Sequence, residues 1–482
     1  MLEFRNVSFT YKNSEEKVLN NVSFKINKGE CVLLTGVSGS GKSTIVHLMN
    51  GLIPALYEGE LTGEIYYNNT SLESIKTYDI AKDIGYVSQD PRGHFFTTNT
   101  TSELVFAMEN FGISLDEMKK RYNAVVELLE LEEIVDKNIL YISSGERQKI
   151  AIGCSLTLMP KVIILDEPSS NLDFRMTKKL TILIEKLKNK GYTIIIAEHR
   201  IHYIQKLIDK VLIVNKGMIK EITIDDLKNT TDFPLRTLDV FNLQLENISS
   251  KNNDLLLQIN NVSYGDILSQ ISTSINKGDV IGLIGRNGAG KTTLLRLLTN
   301  IMKPTKGKIL GNIKPFLVMQ DMDYQFFTES VLSEIRFGNE GVENDKINNL
   351  LEELGLNKFK DKIPFELSGG QKQRLLISIA AISNVNLLMF DEPTSGLDYI
   401  NMEKVSSVLK NLSRENALII ATHDIEFLYK TCNRIIYLDD KTIKKEFYLD
   451  NESKSEVEWK EKVIEPKPIL DEIYPSIYDD LF

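Results

Sequence analysis

The 482-residue sequence has no apolar stretch long enough to span a membrane. A membrane helix needs about 20 consecutive apolar residues, whereas the longest apolar runs here have the length of a β-strand, such as Val162–Leu165 and Thr193–Ala197. The first residues, MLEFRNVSF, alternate as a strand does, and no basic segment followed by an apolar one marks a signal peptide. We therefore expect a chain that stays on the cytoplasmic side and does not cross the bilayer.

The sequence also has few cysteines and no excess of positive charge. The three cysteines, Cys31, Cys154 and Cys432, lie far apart without CxxC or Cys/His spacing, which disfavours zinc sites and disulfides. We expect them to be small buried hydrophobic residues. The formal net charge of -10 would repel a phosphate backbone, so no nucleic acid is expected as a partner.

Two copies of one ordered set of motifs organise the chain. VLLTGVSGSGKST recurs as IGLIGRNGAGKTT, IILDEPSSNLD as LMFDEPTSGLD, and IIIAEHRI as IIATHDIE. Glu167 and Glu392 are 225 residues apart, whereas Lys42 and Lys291 are 249 apart, so the first copy has 24 additional residues between these motifs. They lie around Leu56–Tyr78 and beyond, and we expect them to form an extra antiparallel strand and loop.

The repeat predicts two α/β domains, in agreement with a length beyond the roughly 250 to 300 residues of a single core. Apolar strands alternate with amphipathic helices, which indicates a mainly parallel sheet covered on both faces. An antiparallel β subdomain and a helical subdomain, with helices near Leu115–Leu131 and Asp345–Leu354, are expected in addition. The predicted parts are a first domain at 1–228, a linker at 229–253, a second domain at 254–449, and an acidic, solvated or domain-docking tail at 450–482.

Each copy contains a GxxxxGK[ST] phosphate-binding loop between a strand and a helix. Glycines let backbone N–H groups converge on phosphate oxygens at the helix N-terminus, the lysine neutralises the β and γ phosphates, and the hydroxyl coordinates Mg²⁺. The residues predicted to bind ATP here are Gly36, Ser38, Gly39, Ser40, Gly41, Lys42, Ser43 and Thr44, and Gly285, Asn287, Gly288, Ala289, Gly290, Lys291, Thr292 and Thr293.

A carboxylate pair follows a buried strand in each copy. Asp166 and Glu167 end the strand Val162–Leu165, and the same pair, Asp391 and Glu392, ends Leu387–Phe390. Parallel sheets present ligands at this end of their strands. The aspartate is predicted to hold Mg²⁺ and the glutamate to act as the general base that polarises the attacking water.

Two further segments, ISSGERQ and LSGGQKQ, place a serine 24 residues before each glutamate. With them, nearly the whole chain resembles the ATP-binding-cassette (ABC) ATPases. In this family these two segments are called signatures. The resemblance implies that the signature of one half completes the nucleotide site of the other half. The two halves would then form an intramolecular, head-to-tail pseudo-dimer with two ATP molecules between them.

The resemblance assigns further residues. It implies γ-phosphate contacts for His199 and His423, counted with Glu167 and Glu392 as catalytic, and interface-crossing loops at Asp173 and Asp398. The other residues implied to contact ATP are Tyr11, Gln89, Ser143, Gly145, Glu146, Tyr264, Gln320, Ser368, Gly370 and Gln371. The implied Mg²⁺ ligands are Ser43, Gln89, Asp166, Thr292, Gln320 and Asp391. Ser144 and Glu146 depart from the usual glycine and glutamine. Because Glu167, Glu392, His199 and His423 are all present, both sites are nevertheless predicted to hydrolyse ATP, with the equality of their rates left open.

An aromatic pair follows each glutamine at the same distance: Phe95-Phe96 before Glu103, and Phe326-Phe327 before Glu334. The repetition favours a docking surface over core packing. The pattern resembles the energy-coupling-factor (ECF) importers. It implies an integral membrane coupling subunit and a small substrate-binding membrane subunit as partners, import of a vitamin, its precursor or a transition-metal ion, and a peripheral location on the cytoplasmic face of the membrane.

Three alternatives are weighed against this interpretation. A ribosome-acting cassette translation factor would have a longer charged linker and a basic surface. The fused ATPase of sugar importers usually has a degenerate second phosphate loop, whereas Gly285–Thr293 is intact. DNA-repair cassettes carry a long heptad insertion, which this sequence lacks. The resemblance to ECF importers implies that substrate specificity resides in the membrane subunits.

Overall fold

The computed structural model describes residues 1–12, 14–170, 172–229, 233–240, 243, 245–246, 254–339 and 341–449. The chain divides into two compact units, Met1–Leu238 and Asp239–Phe482. Most of the predicted linker and all of the predicted tail lie outside the described residues, and the predicted domain bounds stay predictions. Among the described helices, none combines the length and the apolar character needed to cross a membrane.

The first unit contains ten strands and eight α-helices in its described residues. The strands are β1 (Leu2–Tyr11), β2 (Leu19–Ile26), β3 (Cys31–Gly36), β4 (Gly59–Tyr67), β5 (Thr70–Ser71), β6 (Ile84–Val87), β7 (Val162–Asp166), β8 (Thr193–Ala197), β9 (Lys210–Asn215) and β10 (Met218–Ile222). The helices are α1 (Lys42–Met49), α2 (Leu52–Ala55), α3 (Thr77–Asp83), α4 (Thr100–Asn110), α5 (Leu115–Leu129), α6 (Ser144–Leu156), α7 (Phe174–Asn189) and α8 (Ile224–Asn229).

A six-stranded sheet forms the centre of the first unit, in the order β10-β9-β3-β8-β7-β6. Its strands are parallel except for β10, which pairs antiparallel with β9. Every residue of β3 and β8 is buried, as expected for central strands covered on both faces. A second, antiparallel sheet has the order β2-β1-β4-β5 and packs its buried side chains, such as Phe4 and Phe9, into a shared core.

The second unit contains nine strands and six α-helices in its described residues. The strands are β11 (Leu255–Tyr264), β12 (Leu268–Asn276), β13 (Val280–Ile284), β14 (Lys306–Gly311), β15 (Pro315–Val318), β16 (Leu387–Asp391), β17 (Ala417–Ala421), β18 (Arg434–Asp439) and β19 (Thr442–Tyr448). The helices are α9 (Lys291–Leu298), α10 (Val331–Arg336), α11 (Asn344–Glu353), α12 (Gly369–Ile382), α13 (Tyr399–Leu412) and α14 (Ile425–Thr431).

The second unit repeats the topology of the first. Its central sheet has the order β15-β16-β17-β13-β18-β19, again parallel except for the last strand, and its antiparallel sheet has the order β12-β11-β14. The predicted α/β class with its parallel core, antiparallel β part and helical part is confirmed in both units. Between the matching strands β4 and β6, the first unit adds β5 and α3, so the expected strand is present, but the insertion also contains a helix that the sequence analysis did not predict.

The helices predicted from periodicity are confirmed within two residues of their expected ends, as α5 and α11. Helix α5 packs Val125 and Leu129 into the core of the first unit. All three cysteines are free; Cys31 and Cys432 are buried, and Cys154 is half-buried.

Candidate functional site

The phosphate-binding loops follow the central strands β3 and β13. A Cβ atom at Gly36 would lie 2.1 Å from the carbonyl oxygen of Val214, and one at Gly285 would lie 2.1 Å from that of Leu438. Both glycines also have a positive φ, 141° and 157°. Only glycine therefore lets each loop pass this close to the neighbouring strand.

Helices α1 and α9 begin at the loop lysines, which are buried. Lys42 Nζ donates to the carbonyl oxygens of Gly36, at 3.0 Å, and Val37, at 3.1 Å. Lys291 Nζ donates to that of Gly285 at 2.6 Å. The first N–H groups of a helix have no acceptor inside it and carry partial positive charge. Ammonium and N–H groups thus converge on one place, and this donor set fits the phosphates of ATP.

Oxygen ligands suited to Mg²⁺ lie beside each loop. Thr292 Oγ1 donates to Asp391 Oδ2 at 2.6 Å, so hydroxyl and carboxylate are adjacent in the second unit. In the first unit Ser43 lies in the first turn of α1, and Asp166 ends β7. Burial raises the pKa of Asp166 to about 6 and also raises the pKa of Asp391. A cation would favour the charged form of both carboxylates, so the residues fit the predicted metal.

The two candidate general bases share an unusual backbone conformation. Glu167 and Glu392 have φ angles of 45° and 54°, in the left-handed region that residues with a Cβ avoid. Their N–H groups donate to the carbonyl oxygens of Ala197 and Ala421, at 2.7 and 2.8 Å. Such a conformation costs about 1 to 3 kcal/mol. Its occurrence at matching positions of both units indicates a geometry kept for the site.

The predicted histidines lie beside these glutamates. His199 Nε2 is 3.6 Å from Glu167 Oε1, and His423 Nε2 is 3.6 Å from Glu392 Oε1. Burial first, and then the positive charges of Lys42, Arg236 and Arg200, lower the pKa of His199 well below its usual value. The His199 imidazole is therefore neutral at neutral pH.

The surroundings of the glutamates differ in detail between the units. Gln89 Nε2 donates to Glu167 Oε2 at 2.7 Å, so the predicted glutamine contacts the candidate base. Gln320 follows β15 and is exposed. His423 Nε2 instead reaches the phosphate loop, 3.0 Å from Asn287 Oδ1 and 3.1 Å from Lys291 Nζ.

Tyr11 and Tyr264, which are predicted to contact ATP, end matching strands. Tyr11 ends β1, and its hydroxyl is 3.0 Å from Thr44 Oγ1 in helix α1. Tyr264 ends β11 and packs against the core of the second unit. The structure therefore brings Tyr11 to the phosphate-loop helix.

Both signature serines cap a helix. Ser143 Oγ accepts from the Glu146 N–H while the Glu146 side chain accepts from the Ser143 N–H at 2.7 Å, and Ser368 and Gln371 form the same capping box in the second unit. Glutamate in place of glutamine thus leaves the cap intact. A Cβ at Gly369 would meet open space, which explains why serine is accommodated at the matching position of the first unit.

The aspartates predicted to cross the interface also cap helices. Asp173 accepts from the Met176 N–H at 2.8 Å at the start of α7, and Asp398 accepts from the Asn401 N–H at 2.7 Å at the start of α13. Each aspartate therefore has a local structural role within its own unit, and its place in a loop that crosses the interface stays a prediction.

The repeated aromatic pairs divide into an inner and an outer member. Phe326 is buried and Phe95 packs against the core, whereas the side chains of Phe96 and Phe327 are 76% and 72% exposed. The expectation that both members form a docking surface is wrong for Phe95 and Phe326. An aromatic side chain beside the apolar core gains more from burial than from water.

A buried carboxylate fixes each of these aromatic loops. Glu103 accepts from the N–H groups of Phe96 and Thr97, and from Thr97 Oγ1 at 2.9 Å. Glu334 accepts from the matching groups of Phe327 and Thr328. Because charge-assisted hydrogen bonds are strong, the two loops hold one phenylalanine outward in the same way.

Sequence reasoning missed one residue of the first site, Glu198. This carboxylate is buried immediately before His199, and its position in the second unit is occupied by Thr422. Burial first, and then the negative charges of Glu198 and Asp166, raise the pKa of Glu167 above its usual range. Comparing the repeats IIIAEHRI and IIATHDIE residue by residue would have shown the difference.

Each of the two units matches a known protein family. The family model described as "ABC transporter" matches residues 19–170 and 268–395, once in each unit. An ABC transporter ATP-binding protein of Treponema denticola is 37% identical over 491 residues, which cover 95% of this chain and 99% of the relative. The HMP/thiamine import ATP-binding protein YkoD of Bacillus subtilis is 29% identical, over 91% of this chain and 87% of the relative. Both relatives carry provisionally assigned names.

Solved structures show the same fold. A model of ribosome-bound archaeal Pelota and ABCE1 matches 92% of this chain and 78% of the solved chain, with a TM-score of 0.69 and 21% identity. The archaeal ribosome recycling factor aABCE1, in complex with the stalk protein aP1, matches 90% of this chain and 87% of the solved chain, with a TM-score of 0.64 and 23% identity. At these identities the similarity concerns the fold alone.

Proposed function

Because this chain belongs to the ABC transporter family and is an ATPase with two ATP-binding domains, we propose that it powers an ECF-type importer. The cargo would be a vitamin, a vitamin precursor or a transition-metal ion. The observation that carries this proposal is the pair of matching aromatic loops, each presenting one exposed phenylalanine seven residues after the glutamine that is predicted to contact ATP.

In the proposed reaction each residue has a defined task. The ammonium groups of Lys42 and Lys291 hold the phosphates, together with the N–H groups at the N-termini of helices α1 and α9. Glu167 and Glu392 accept the proton of the attacking water. Mg²⁺, held by the Ser43–Asp166 and Thr292–Asp391 pairs, would supply positive charge that neutralises the phosphate oxygens.

The histidines and the glutamine orient rather than exchange protons in this proposal. The neutral imidazole of His199 can donate one hydrogen bond toward the γ-phosphate from its position beside Glu167. Gln89 donates a hydrogen bond to the same glutamate. A change in the position of Glu167 can therefore move Gln89 and the segment that follows it. That segment leads directly to the aromatic loop of the first unit.

The two ATP molecules are proposed to bind between the units, each contacted by the signature of the opposite unit. Ser143 and Ser368 would then contact the nucleotide in addition to capping their helices. ATP binding would draw the units together and hydrolysis would release them, a rigid-body movement that a docked partner can follow.

Membrane partners are proposed from the aromatic loops and from one relative. Exposed aromatic residues that are held rigidly are typical anchors of protein interfaces. The similarity to YkoD, whose name refers to import of HMP and thiamine, supports an importer and a vitamin-type cargo. The similarity to ribosome recycling factors supports only the fold, and the acidic chain is a poor match for ribosomal RNA.

The proposal is tested by changing Phe96 and Phe327 together to serine in the full chain. We expect the fraction of this chain that sediments with membranes of the source cells to fall at least about tenfold, because removal of a buried aromatic anchor at an interface typically costs 2 kcal/mol or more. The measurement is quantitative immunoblotting of the membrane and soluble fractions.

Ile301→Ser provides a matched control, because Ile301 is 67% exposed and lies outside both loops. It should leave the membrane fraction unchanged. Unchanged recruitment of the Phe96→Ser/Phe327→Ser chain, with a thermal midpoint like that of the unmodified protein, would rule out these loops as the docking surface. ATP-dependent co-sedimentation with ribosomes would favour the translation-factor alternative.

A further inference from the structure

Glu198 joins the two loops that carry the reacting residues of the first site. Its Oε1 accepts from the N–H groups of His199, at 2.8 Å, and Arg200, at 3.1 Å. Its Oε2 accepts from Ser169 Oγ at 2.7 Å, from the Ser169 N–H at 3.3 Å, and from the Tyr203 hydroxyl at 3.0 Å. The side chain is only 2% exposed, so these donors replace the water that a carboxylate otherwise needs.

The joined loops are those that follow β7 and β8. Ser169 lies two residues after Glu167, and His199 comes directly after Glu198. Glu167 Oε1 and His199 Nε2 are 3.6 Å apart. The loops that carry these two residues are also connected through the Glu198 carboxylate, which bonds to Ser169 in one loop and to the His199 N–H in the other. Because charge-assisted hydrogen bonds in a buried place are strong and directional, this connection restricts relative movement of the two loops.

The second unit lacks this arrangement as a set. Glu198, Ser169 and Tyr203 are matched by Thr422, Thr394 and Phe427. All three residues of the second unit are buried, and among the described residues Thr394 Oγ1 has no hydrogen-bond partner. The carboxylate and the tyrosine hydroxyl that pairs with it are thus present together in one unit and absent together in the other.

Thr422 contacts its site in a different way. Its Oγ1 donates to Glu392 Oε2 at 3.3 Å and accepts from the Asp424 N–H at 3.1 Å. The threonine therefore contacts the candidate base itself, whereas Glu198 contacts the backbone on either side of the site. The two units hold the same glutamate–histidine pair by different means.

We propose that Glu198, supported by Tyr203, is a positioning residue that fixes His199 relative to Glu167 and makes the two ATP sites functionally unequal. The proposal rests on the assignment of the ATP sites and is independent of import. Glu198 does not touch the nucleotide in this role. Its loss should slow the chemical step and leave ATP binding almost unchanged, because misplacement of a reacting group by about 1 Å can cost about 10²-fold in rate.

The test measures ATP hydrolysis and thermal unfolding of the purified full chain in a Glu392→Gln background, in which turnover comes from the first site. Three variants are compared with that parent: Glu198→Thr, Tyr203→Phe, and the two together, which reproduces two of the three matched residues of the second unit, Thr422 and Phe427. Glu198→Thr should lower kcat about 10- to 100-fold and change KM for ATP by less than about threefold. It should also lower the thermal midpoint, because the Tyr203 hydroxyl loses its buried acceptor.

The double variant separates positioning from packing. Removal of the tyrosine hydroxyl as well should restore much of the thermal midpoint, whereas kcat should stay low. Recovery of kcat together with stability, or a Glu198→Thr variant with the kcat of the parent, would overturn the proposal. If Glu198→Thr does not fold, Glu198→Gln, which keeps the size and one oxygen, serves instead and should lower kcat with KM unchanged.

A further variant distinguishes failure of this proposal from failure of the site assignment. Adding Glu167→Gln to the parent should abolish the remaining turnover. Turnover that survives this change would show that hydrolysis does not occur at the assigned site, and would overturn the role of Glu198 with it. Turnover that is lost with Glu167→Gln but unaffected by Glu198→Thr would overturn the role of Glu198 alone.

Discussion

The two oxygens of each candidate base have different neighbours, and this determines what the residue can do. One oxygen of Glu167 faces the His199 imidazole, and the other accepts from the Gln89 side chain. A carboxylate in this position is held in one orientation and has lost much of its hydration. Loss of hydration favours proton uptake, which agrees with the raised pKa of Glu167 and suits a general base.

Replacement of either glutamate by glutamine tests this role. Glu167→Gln and Glu392→Gln keep the size of the side chain but cannot accept the proton of water. Each change should lower turnover at its own site by roughly 10² to 10⁴, the usual contribution of a general base. Phosphate release from the purified chain measures this.

Glu185→Gln is the matched control, because Glu185 is exposed on helix α7. Its turnover should equal that of the unmodified protein. Turnover at each individual site is measured through the nucleotide that stays trapped there. A Glu167→Gln or Glu392→Gln variant with full turnover at its own site would contradict the assignment.

At the scale of secondary-structure elements, apolar strand runs were sufficient to predict the central sheet. The run Thr193–Ala197 coincides with β8, and Val162–Leu165 with all but the last residue of β7. Strands buried on both faces form continuous apolar runs in the sequence. Polar residues bound these runs, so the ends of the strands can be located. The motifs at those ends could therefore be placed on the correct edge of the sheet.

Other features depend on tertiary contacts and could not be predicted in this way. Phe95 and Phe96 are chemically identical neighbours in the sequence. Only the tertiary packing of their loop decides that Phe95 lies against the core and Phe96 is exposed. Helix α3 in the insertion is short, and a segment of that length does not show a clear period. The role of Glu198 requires the positions of Ser169 and Tyr203, which are separated from each other by 33 intervening residues in the sequence.

The helix caps give a prediction at this scale. Ser368→Ala removes the capping hydrogen bond of α12 and should cost about 1 kcal/mol of stability, whereas Ser368→Asn keeps a good cap and should cost a few tenths at most. Thermal unfolding of the full chain measures the difference between the two variants. An asparagine variant as unstable as the alanine variant would show that the cap is not what stabilises this end.

The same two variants separate the cap from the proposed contact with ATP. If Ser368 also contacts the nucleotide, Ser368→Asn should lower turnover even though its thermal midpoint is unchanged. Normal turnover in a normally stable asparagine variant would limit the signature serine to its structural role.

At the scale of the whole molecule, the account depends on repetition. Each unit contains the same order of strands in its central sheet, a phosphate loop after the matching central strand, and a strained glutamate directly after β7 or β16. Two complete sites in one chain would bind two ATP molecules, and the differences around Glu198 and Thr422 would make those sites unequal in rate rather than in number.

Counting bound ATP tests this claim most directly. The measurement is equilibrium binding of ATP with Mg²⁺ to the full chain carrying Glu167→Gln and Glu392→Gln, so that the nucleotide is retained. The account predicts two ATP per chain, about one after Lys42→Ala or Lys291→Ala, and none after both, because each lysine holds one set of phosphates. A single ATP in the parent, or two ATP retained after either lysine change, would contradict it.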